Sequence, residues 1–331
     1  MTYRLGLLDK SVLIPGEAAE DALARTVAFA QRAEALGYHR FWLAEHHGLP
    51  GLASSAPELL SAFILARTTR IRVGAGGVLL QHYSPYKVAE GFHLLSALAP
   101  GRVDLGIGKA PGGFPVSTKA LGGGRAPTDF AEELALLESF LSDGPPEGHA
   151  LHGAVANPKP AIVPERFLLG ASPESALLAA RHGWAFVYAG HLNGDRKLMT
   201  EALDAYKQAC RGRPPILALA VLAARTSAEA ERHVADLRII RVELSTGQSV
   251  NLGTQEQAAE FARQSGAASY RTEERRPSVL AGTSAQVRRE LEELSRQYGI
   301  REFILDTPVA GAAERFAAIE LLAAEAPAAA A

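Results

Sequence analysis

The stretch IRVGAGGVLLQHYSPYKVAEGFHLLSALAPGRVDLGIGKAPGG, residues 71–113, contains one complete unit of the pattern that organises this chain. Residues 71–80 form a short apolar run, which predicts a strand. Residues 85–98 have the spacing of a helix, and 102–108 are a second short apolar run. A strand, a helix and another strand in immediate succession favour a parallel pair joined by a helical crossover.

The same alternation continues on both sides of this unit. Further helices are predicted at 57–68, where Pro57 suits the first turn, and at 128–142. With the two strands above, the predicted strands are 3–8, 40–47, 71–80, 102–108, 166–172, 184–190, 216–224 and 301–307. Eight strands, each followed by a helical segment, predict a closed (β/α)8 barrel. A doubly wound open sheet shares the alternation, but the count of eight favours the barrel.

One interval breaks the rhythm, between the seventh and eighth strands. Residues 225–280 leave room for extra helices or a long loop, and much of this interval is poor in large apolar side chains. Insertions after a barrel strand lie over the mouth of the barrel, so we expect this one to cover the active site and to be mobile. No linker or repeat divides residues 1–331, which we interpret as a single domain, and the alanine-rich end at 325–331 is expected to be disordered.

Composition excludes several classes of function. The 331 residues carry a formal net charge of −2, so no overall field favours nucleic acid or an anionic membrane. No apolar run approaches the roughly 20 residues that span a bilayer, and the first residues lack a signal-peptide core. Cys210 is the one cysteine, which suits a reducing compartment, and we therefore expect a cytoplasmic protein.

The candidate chemistry lies where the predicted strands end. The second strand runs into Glu45, His46 and His47, and histidine exchanges protons near neutral pH. Adjacent residues of a strand point to opposite faces, so the two histidines are expected to have different surroundings. The sequence EHH is not a zinc-helix motif and no complete second ligand set accompanies it, so we predict no metal. The alternative to a catalytic role is a structural one, in which the histidine packs at the end of the strand.

Two further strand ends are rich in glycine or serine. The fourth strand continues as GIGKAPGG, but its third glycine falls one position late for a dinucleotide loop and Pro111 replaces the helix entry. After the fifth strand, Ser172 suits a helix cap, Pro173 the first turn and Gly183 the end of the helix. The start of such a helix suits an anion such as phosphate. An ordinary helix N-cap that binds no ligand would have the same sequence.

Taken together, these strand ends resemble the bacterial-luciferase-like family of flavin-dependent monooxygenases. The resemblance runs from Leu5 to about Leu322 and rests on four segments in order: AEHHG at 44–48, the segment that extends from Val73 to Gly113, GASPESALLAARHGW at 170–184 and GTSAQV at 282–287. The resemblance depends on the order and spacing of the four segments more than on any single segment. The resemblance is closer to the single-component luciferase-like oxidoreductases than to the light-emitting subunits.

The resemblance implies a role for each matched position. His46 matches the catalytic histidine, and Ala75, Gly76 and Gly77 match the segment under the flavin ring, where relatives have a non-proline cis peptide. Gly108 and Lys109 match a segment in which relatives use an arginine to reach the flavin phosphate; lysine keeps the charge but not the two-pronged guanidinium. The phosphate-binding positions match Gly170, Ala171, Ser172 and Ser175.

The resemblance also implies the reaction. Reduced FMN from a separate reductase reacts with O2 to give a flavin C4a-peroxide, which oxidises a small organic substrate. A deazaflavin-dependent hydride transfer and a non-catalytic flavin-binding protein are the alternatives. Relatives dimerise through the helices after the early strands, so a homodimer is expected. An aldehyde, an aromatic polyketide or a small sulfur or nitrogen compound is compatible as substrate.

Overall fold

The architecture is described from a computed structural model for residues 3–122, 128–191 and 194–324. The tail predicted at 325–331 lies outside these residues. The strands are β1 Arg4–Asp9, β2 Arg40–Leu43, β3 Arg72–Leu79, β4 Val103–Gly108, β5 Glu165–Gly170, β6 Ala185–Ala189, β7 Ile216–Ala224, β8 Ile239–Leu244, β9 Ser249–Leu252, β10 Tyr270–Arg275, β11 Val279–Thr283 and β12 Glu302–Asp306.

The main sheet is a closed parallel barrel. Strands β1 to β7 and β12 form its wall in the order β12-β1-β2-β3-β4-β5-β6, and β7 pairs with both β6 and β12 to close it. The prediction of an eight-stranded βα barrel is confirmed, and the open doubly wound sheet is excluded. The eight barrel strands lie within one or two residues of their predicted positions, except that β2 ends at Leu43, before the Glu45-His46-His47 segment.

Helices cover the outside of the barrel and the insertion. Proline stands at the first helical position of α2, α3 and α6, which fixes where these helices begin. The bounds are α1 Ala19–Ala35, α2 Pro57–Leu65, α3 Pro85–Leu98, α4 Pro115–Gly122, α5 Phe130–Leu141, α6 Pro173–Arg181, α7 Arg196–Ala209, α8 Ser227–Val234, α9 Gln255–Ser265, α10 Ser284–Tyr298 and α11 Ala312–Ala324.

The insertion between β7 and β12 has the extra helices that were expected, together with a sheet that was not. It contains α8, α9 and an antiparallel sheet of order β10-β8-β9. Alternate residues of β8 are buried, and with Phe261 and Phe114 they form a small separate core. β11 then returns to the barrel and pairs with the second half of β7, while β12 pairs with the first half. The wall therefore forks at Ala220, which pairs with both Val279 and Asp306.

A buried ion-pair network fills the N-terminal end of the barrel. Arg40 on β2 is 1 % exposed and donates to Glu302 on β12 and to Asp104 on β4, the latter at 2.5 Å. The indole N–H of Trp42 also donates to Asp104, at 2.8 Å. Burial works against the charge of Arg40, but Asp104 and Glu302 outweigh it and hold its pKa above the usual value. Above this network, Trp42 and Phe167 pack edge to face with ring centroids 4.8 Å apart.

Among the described residues, no helix combines the length and the apolar character needed to cross a bilayer.

We predict that Arg40→Met lowers the free energy of unfolding by about 3–5 kcal/mol, because it leaves two buried carboxylates short of their partner. The matched control is Arg4→Ala, which removes an exposed arginine from the same Glu302 and is expected to cost less than about 1 kcal/mol. Chemical denaturation of both variants measures the difference. Equal losses would show that the buried network does not hold the barrel together.

Candidate functional site

His46 lies at the C-terminal end of the barrel, in the segment that follows β2. Its backbone N–H donates to the carbonyl of Ser54 at 2.9 Å, which fixes the chain there. The side chain lines a cavity of about 380 Å³ between the barrel mouth and the insertion. That volume is typical of small-molecule sites. From the insertion, the cavity is lined by Leu237, Arg238, Ile239, Asn251, Leu252, Gly253, Gln257 and Pro277.

Three polar groups from other strand ends share this cavity with His46. Lys10 follows β1, His191 follows β6 and Asp306 ends β12. The Lys10 ammonium donates to Asp306 Oδ2 at 2.5 Å. Burial tends to raise the pKa of Asp306, but the ammonium and neighbouring charges outweigh it and hold the pKa below its usual value. The floor of the cavity thus carries one compact ion pair.

The two imidazoles of the cavity are neutral at physiological pH. Burial and the nearby Lys10 ammonium lower the pKa of His46 to about 4. Burial lowers the pKa of His191 to about 4 as well, against the opposing effect of Asp306. The Nδ1 atom of each ring is buried without a hydrogen-bond partner. Buried polar atoms nearly always have a partner, so both rings are suited to a ligand or water in this cavity.

His47 has entirely different surroundings, as its position next to His46 predicts. Its Nε2 lies 2.7 Å from Glu45 Oε1, and the Tyr83 hydroxyl donates to the same oxygen at 2.8 Å. The other Glu45 oxygen accepts from the backbone N–H of Leu79 at 3.1 Å. This network ties the segment after β2 to β3, so His47 serves packing.

The segment matched to the flavin ring lies in β3 beside Trp42. Ala75 is fully buried, and the peptide bond between Gly76 and Gly77 is cis, as the resemblance implies. A Cβ at Gly76 would lie 2.9 Å from the Trp42 ring, so only glycine fits there. The pairing of β3 with β4 shifts register between Ala75 and Val78. The Gly76 position therefore faces the barrel interior, where it lies against Trp42 and Leu8.

The segments matched to the flavin phosphate lie at adjoining strand ends. Gly108 pairs with Leu169, so Lys109 follows β4 at the edge where Gly170 ends β5. Ala171 and Ser172 lead from there into α6. The exposed Lys109 ammonium lies 5.7 Å from the centroid of the Phe130 ring. Lys109 is followed by a loop up to Pro115, not by a helix, which agrees with the exclusion of a dinucleotide fold.

The start of α6 has the donors that a phosphate requires. Ser172 Oγ accepts from the Ser175 N–H at 3.3 Å and lies 3.3 Å from the Ser175 hydroxyl. A Cβ at Gly170 would lie 2.4 Å from Ser175 Cβ, so glycine is needed for this close approach. A phosphate dianion suits this edge of the barrel, which has the two serine hydroxyls, the positive N-terminal end of α6 and the Lys109 ammonium. Glu174 in the same first turn is exposed, so water screens its negative charge.

Lys10, His191 and Asp306 were missed by sequence reasoning. Each stands within two residues of a strand end, which was the available signal on a barrel. Lys10 and Asp306 are nearly three hundred positions apart, and only the pairing of Leu8 with Asp306 across β1 and β12 brings them together. No group of three or more metal-ligating side chains occurs within residues 3–122, 128–191 and 194–324.

Acid is expected to destabilise the fold through the two cavity histidines. Their folded pKa values of about 4 lie below the unfolded value near 6.5, so the unfolded chain binds protons first. Their contribution is complete above about pH 6.5 and is lost as the pH falls towards 4; at pH 5 the loss is about 2 kcal/mol for each ring.

Denaturant unfolding at about pH 7.5 and about pH 5 measures this effect. When the pH is lowered from the higher to the lower value, the double variant His46→Gln, His191→Gln should lose less stability than the wild type. The control His149→Gln, at an exposed position, should lose as much as the wild type. The same pH dependence in all three proteins would mean that the cavity rings titrate normally.

Known proteins resemble this chain over nearly its whole length. The luciferase-like monooxygenase family matches residues 4–302. An N-acetyl-S-alkylcysteine monooxygenase of Bacillus subtilis (strain 168) is 44% identical over 329 residues, covering 96% of this chain and 97% of the relative. The crystal structure of apo-MsnO8 matches with a TM-score of 0.79 and 31% identity, covering 97% and 98% of the two chains.

A more distant structure shares the fold. The oxygenating constituent of 3,6-diketocamphane monooxygenase from Pseudomonas putida, a type II Baeyer-Villiger monooxygenase in complex with FMN, has a TM-score of 0.69 and 20% identity, covering 98% of each chain. The family match and the 44% relative both extend over nearly the whole barrel. The chain belongs to the luciferase-like monooxygenase family of oxidoreductases.

Proposed function

We propose that this chain is a monooxygenase that uses reduced FMN and O2 to oxidise a small organic thioether. One oxygen atom enters the substrate, the other leaves as water, and reduced FMN is oxidised by two electrons. The observation that carries the proposal is the cavity over His46, which is large enough for a small molecule and holds two half-buried, neutral imidazoles whose buried Nδ1 atoms have no hydrogen-bond partner.

Residues at two parts of the barrel mouth suit FMN. We assign the ring to the β3 segment Ala75, Gly76 and Gly77, and the phosphate to Lys109, Ser172 and Ser175, with Gly108, Gly170 and Ala171 in the backbone between. When bound, the reduced flavin supplies the reaction with oxygen. The chain contributes binding, orientation and exclusion of water. We further propose that a separate reductase supplies the reduced flavin.

His46 is the proposed catalytic residue. Because its imidazole is neutral, it acts as a hydrogen-bond donor or as a base, not as an imidazolium acid. It lines the cavity, whereas His47 is held by Glu45. A neutral N–H directed at an oxygen atom in the cavity stabilises negative charge that develops there.

The relative with 44% identity supports a substrate of the N-acyl-S-alkylcysteine class. The cavity wall is mainly apolar, with Leu49, Leu52, Leu237, Ile239 and Leu252 around the polar floor. Such a wall accepts the alkyl group of a thioether. Purified protein, an NADH-dependent flavin reductase, FMN and N-acetyl-S-benzylcysteine test the reaction: product formation by mass spectrometry supports it, and its absence with intact FMN binding contradicts it. Turnover with reduced deazaflavin alone would favour the hydride-transfer alternative.

We also propose a homodimer through α2 and α3. Leu59 and Phe63 on α2 are 70% and 50% exposed, and Leu94 and Leu98 on α3 are 50% and 71% exposed. Large apolar side chains grouped on neighbouring helices are typical of interaction surfaces. A second copy of the chain is the partner that the family resemblance implies.

The phosphate assignment predicts weaker FMN binding after Ser172→Ala with Ser175→Ala. Loss of hydrogen bonds to a charged group is expected to cost about 1–3 kcal/mol, a decrease in affinity of roughly 5- to 150-fold. Thr283→Ala is the matched control, since Thr283 caps α10 in the same way with no role assigned in the flavin site. Fluorescence titration with FMN measures all three proteins. If the double variant binds FMN as tightly as the control, the phosphate lies elsewhere.

The catalytic assignment predicts different effects of His46→Ala and His47→Ala. His46→Ala should lower product formation by about 10²–10⁴-fold and divert oxygen to hydrogen peroxide, with FMN affinity nearly unchanged. His47→Ala should instead lower stability by about 1–3 kcal/mol, because it removes a partner of buried Glu45. Product yield, peroxide release and thermal melting are measured together. Full coupled turnover in both variants would make the histidine segment purely structural.

A further inference from the structure

Arg238 is the one arginine among the described residues that line the cavity over His46. It immediately precedes β8 in the insertion. Its Nη1 donates to the carbonyls of Ala235 and Leu237 at 2.6 and 2.8 Å, which fixes the start of its strand. Its Nε lies 3.0 Å from Glu274 on β10, and the side chains are 32% and 57% exposed respectively.

The cavity lining has an excess of positive charge because of Arg238. Its described charged residues are Lys10, Arg238 and Asp306, so two cations face one anion and the sum is +1, since both histidines are neutral. Lys10 and Asp306 already neutralise each other at 2.5 Å. Arg238 is balanced by Glu274, which lies outside the lining. Arg238 is therefore the lining cation whose partner is not itself a lining residue, whereas Lys10 is paired within the cavity.

We propose that Arg238 is the carboxylate anchor of this cavity, so that the enzyme selects thioethers that carry an acid group. This inference rests on the proposed function, because it assigns one end of the proposed substrate. The acid group binds at the insertion, and the thioether is thereby held on the barrel side of the cavity, beside His46.

The energetics favour such an exchange of partners. An exposed ion pair such as Arg238 with Glu274 contributes little to stability, because water screens both charges. A carboxylate inside the cavity has less water around it and accepts two parallel N–H bonds from a guanidinium, which makes the new pair stronger. A neutral substrate has no means to displace Glu274. The anchor therefore discriminates between an acid and its ester, which differ little in size.

The test compares N-acetyl-S-benzylcysteine with its methyl ester. For Arg238→Gln we expect the KM of the acid to rise at least about tenfold, with kcat within about threefold and the KM of the ester within about twofold. Arg238→Lys keeps the charge and loses the two-pronged guanidinium, so its KM for the acid should lie between the values of the wild type and of Arg238→Gln. Arg241→Gln is the control, because Arg241 lies on β8, pairs with Glu243 and does not line this cavity.

Several results would overturn the anchor. The anchor is rejected if the KM for the acid changes less than about twofold in Arg238→Gln, or if the KM values for the acid and for the ester rise equally. If the wild type oxidises neither compound, the proposed function fails, and the anchor is judged by calorimetric binding of the two compounds to the purified protein. Tighter binding of the acid, lost in Arg238→Gln and kept in Arg241→Gln, supports it. Equal binding of acid and ester to the wild type rejects it.

Discussion

The buried guanidinium of Arg40 is the interaction on which the barrel depends. It projects from β2 and reaches β4 through Asp104 and β12 through Glu302, while Arg72 on β3 donates to the same Asp104. Strands from different parts of the wall are thus joined at one charged centre. Removing a partner from a buried pair costs far more than the pair gains, so we expect the network to favour this arrangement of strands. The opposite end of the barrel is left free for the cavity.

The division of the barrel into two ends explains the opposite behaviour of its charged groups. At the N-terminal end, Arg40 is fully satisfied and its charge is kept. At the C-terminal end, burial removes the charge from His46 and His191, and their Nδ1 atoms remain without partners. Saturated polar groups stabilise a fold, whereas unsaturated ones indicate a place for a ligand. Burial therefore has a structural role at one end and leaves neutral imidazole atoms without partners at the other.

Much of the fold and part of the site were predictable from the sequence. The barrel strands are short apolar runs between helices, and prolines at 57, 85 and 173 mark helix starts. The sheet of the insertion was missed because its overall polarity hid the alternation of Ile240, Val242 and Leu244. The motif led to His46, which the structure shows lining the cavity, and its catalytic role stays a proposal. Lys10 and Asp306 were missed because their pairing arises only when β12 closes on β1, which local patterns do not show.

The fork in β7 has an evolutionary consequence. Because β7 pairs with β12 in its first half and with β11 in its second, the barrel closes without any contribution from the sheet of the insertion. That sheet has its own small core, so its sequence can drift, lengthen or be replaced while the barrel stays intact. Paralogues that share a flavin-binding barrel can in this way acquire new substrates by exchanging one segment. With the flavin assigned to the barrel and the substrate to the insertion, as proposed above, the fork would separate the inheritance of the cofactor site from the inheritance of specificity.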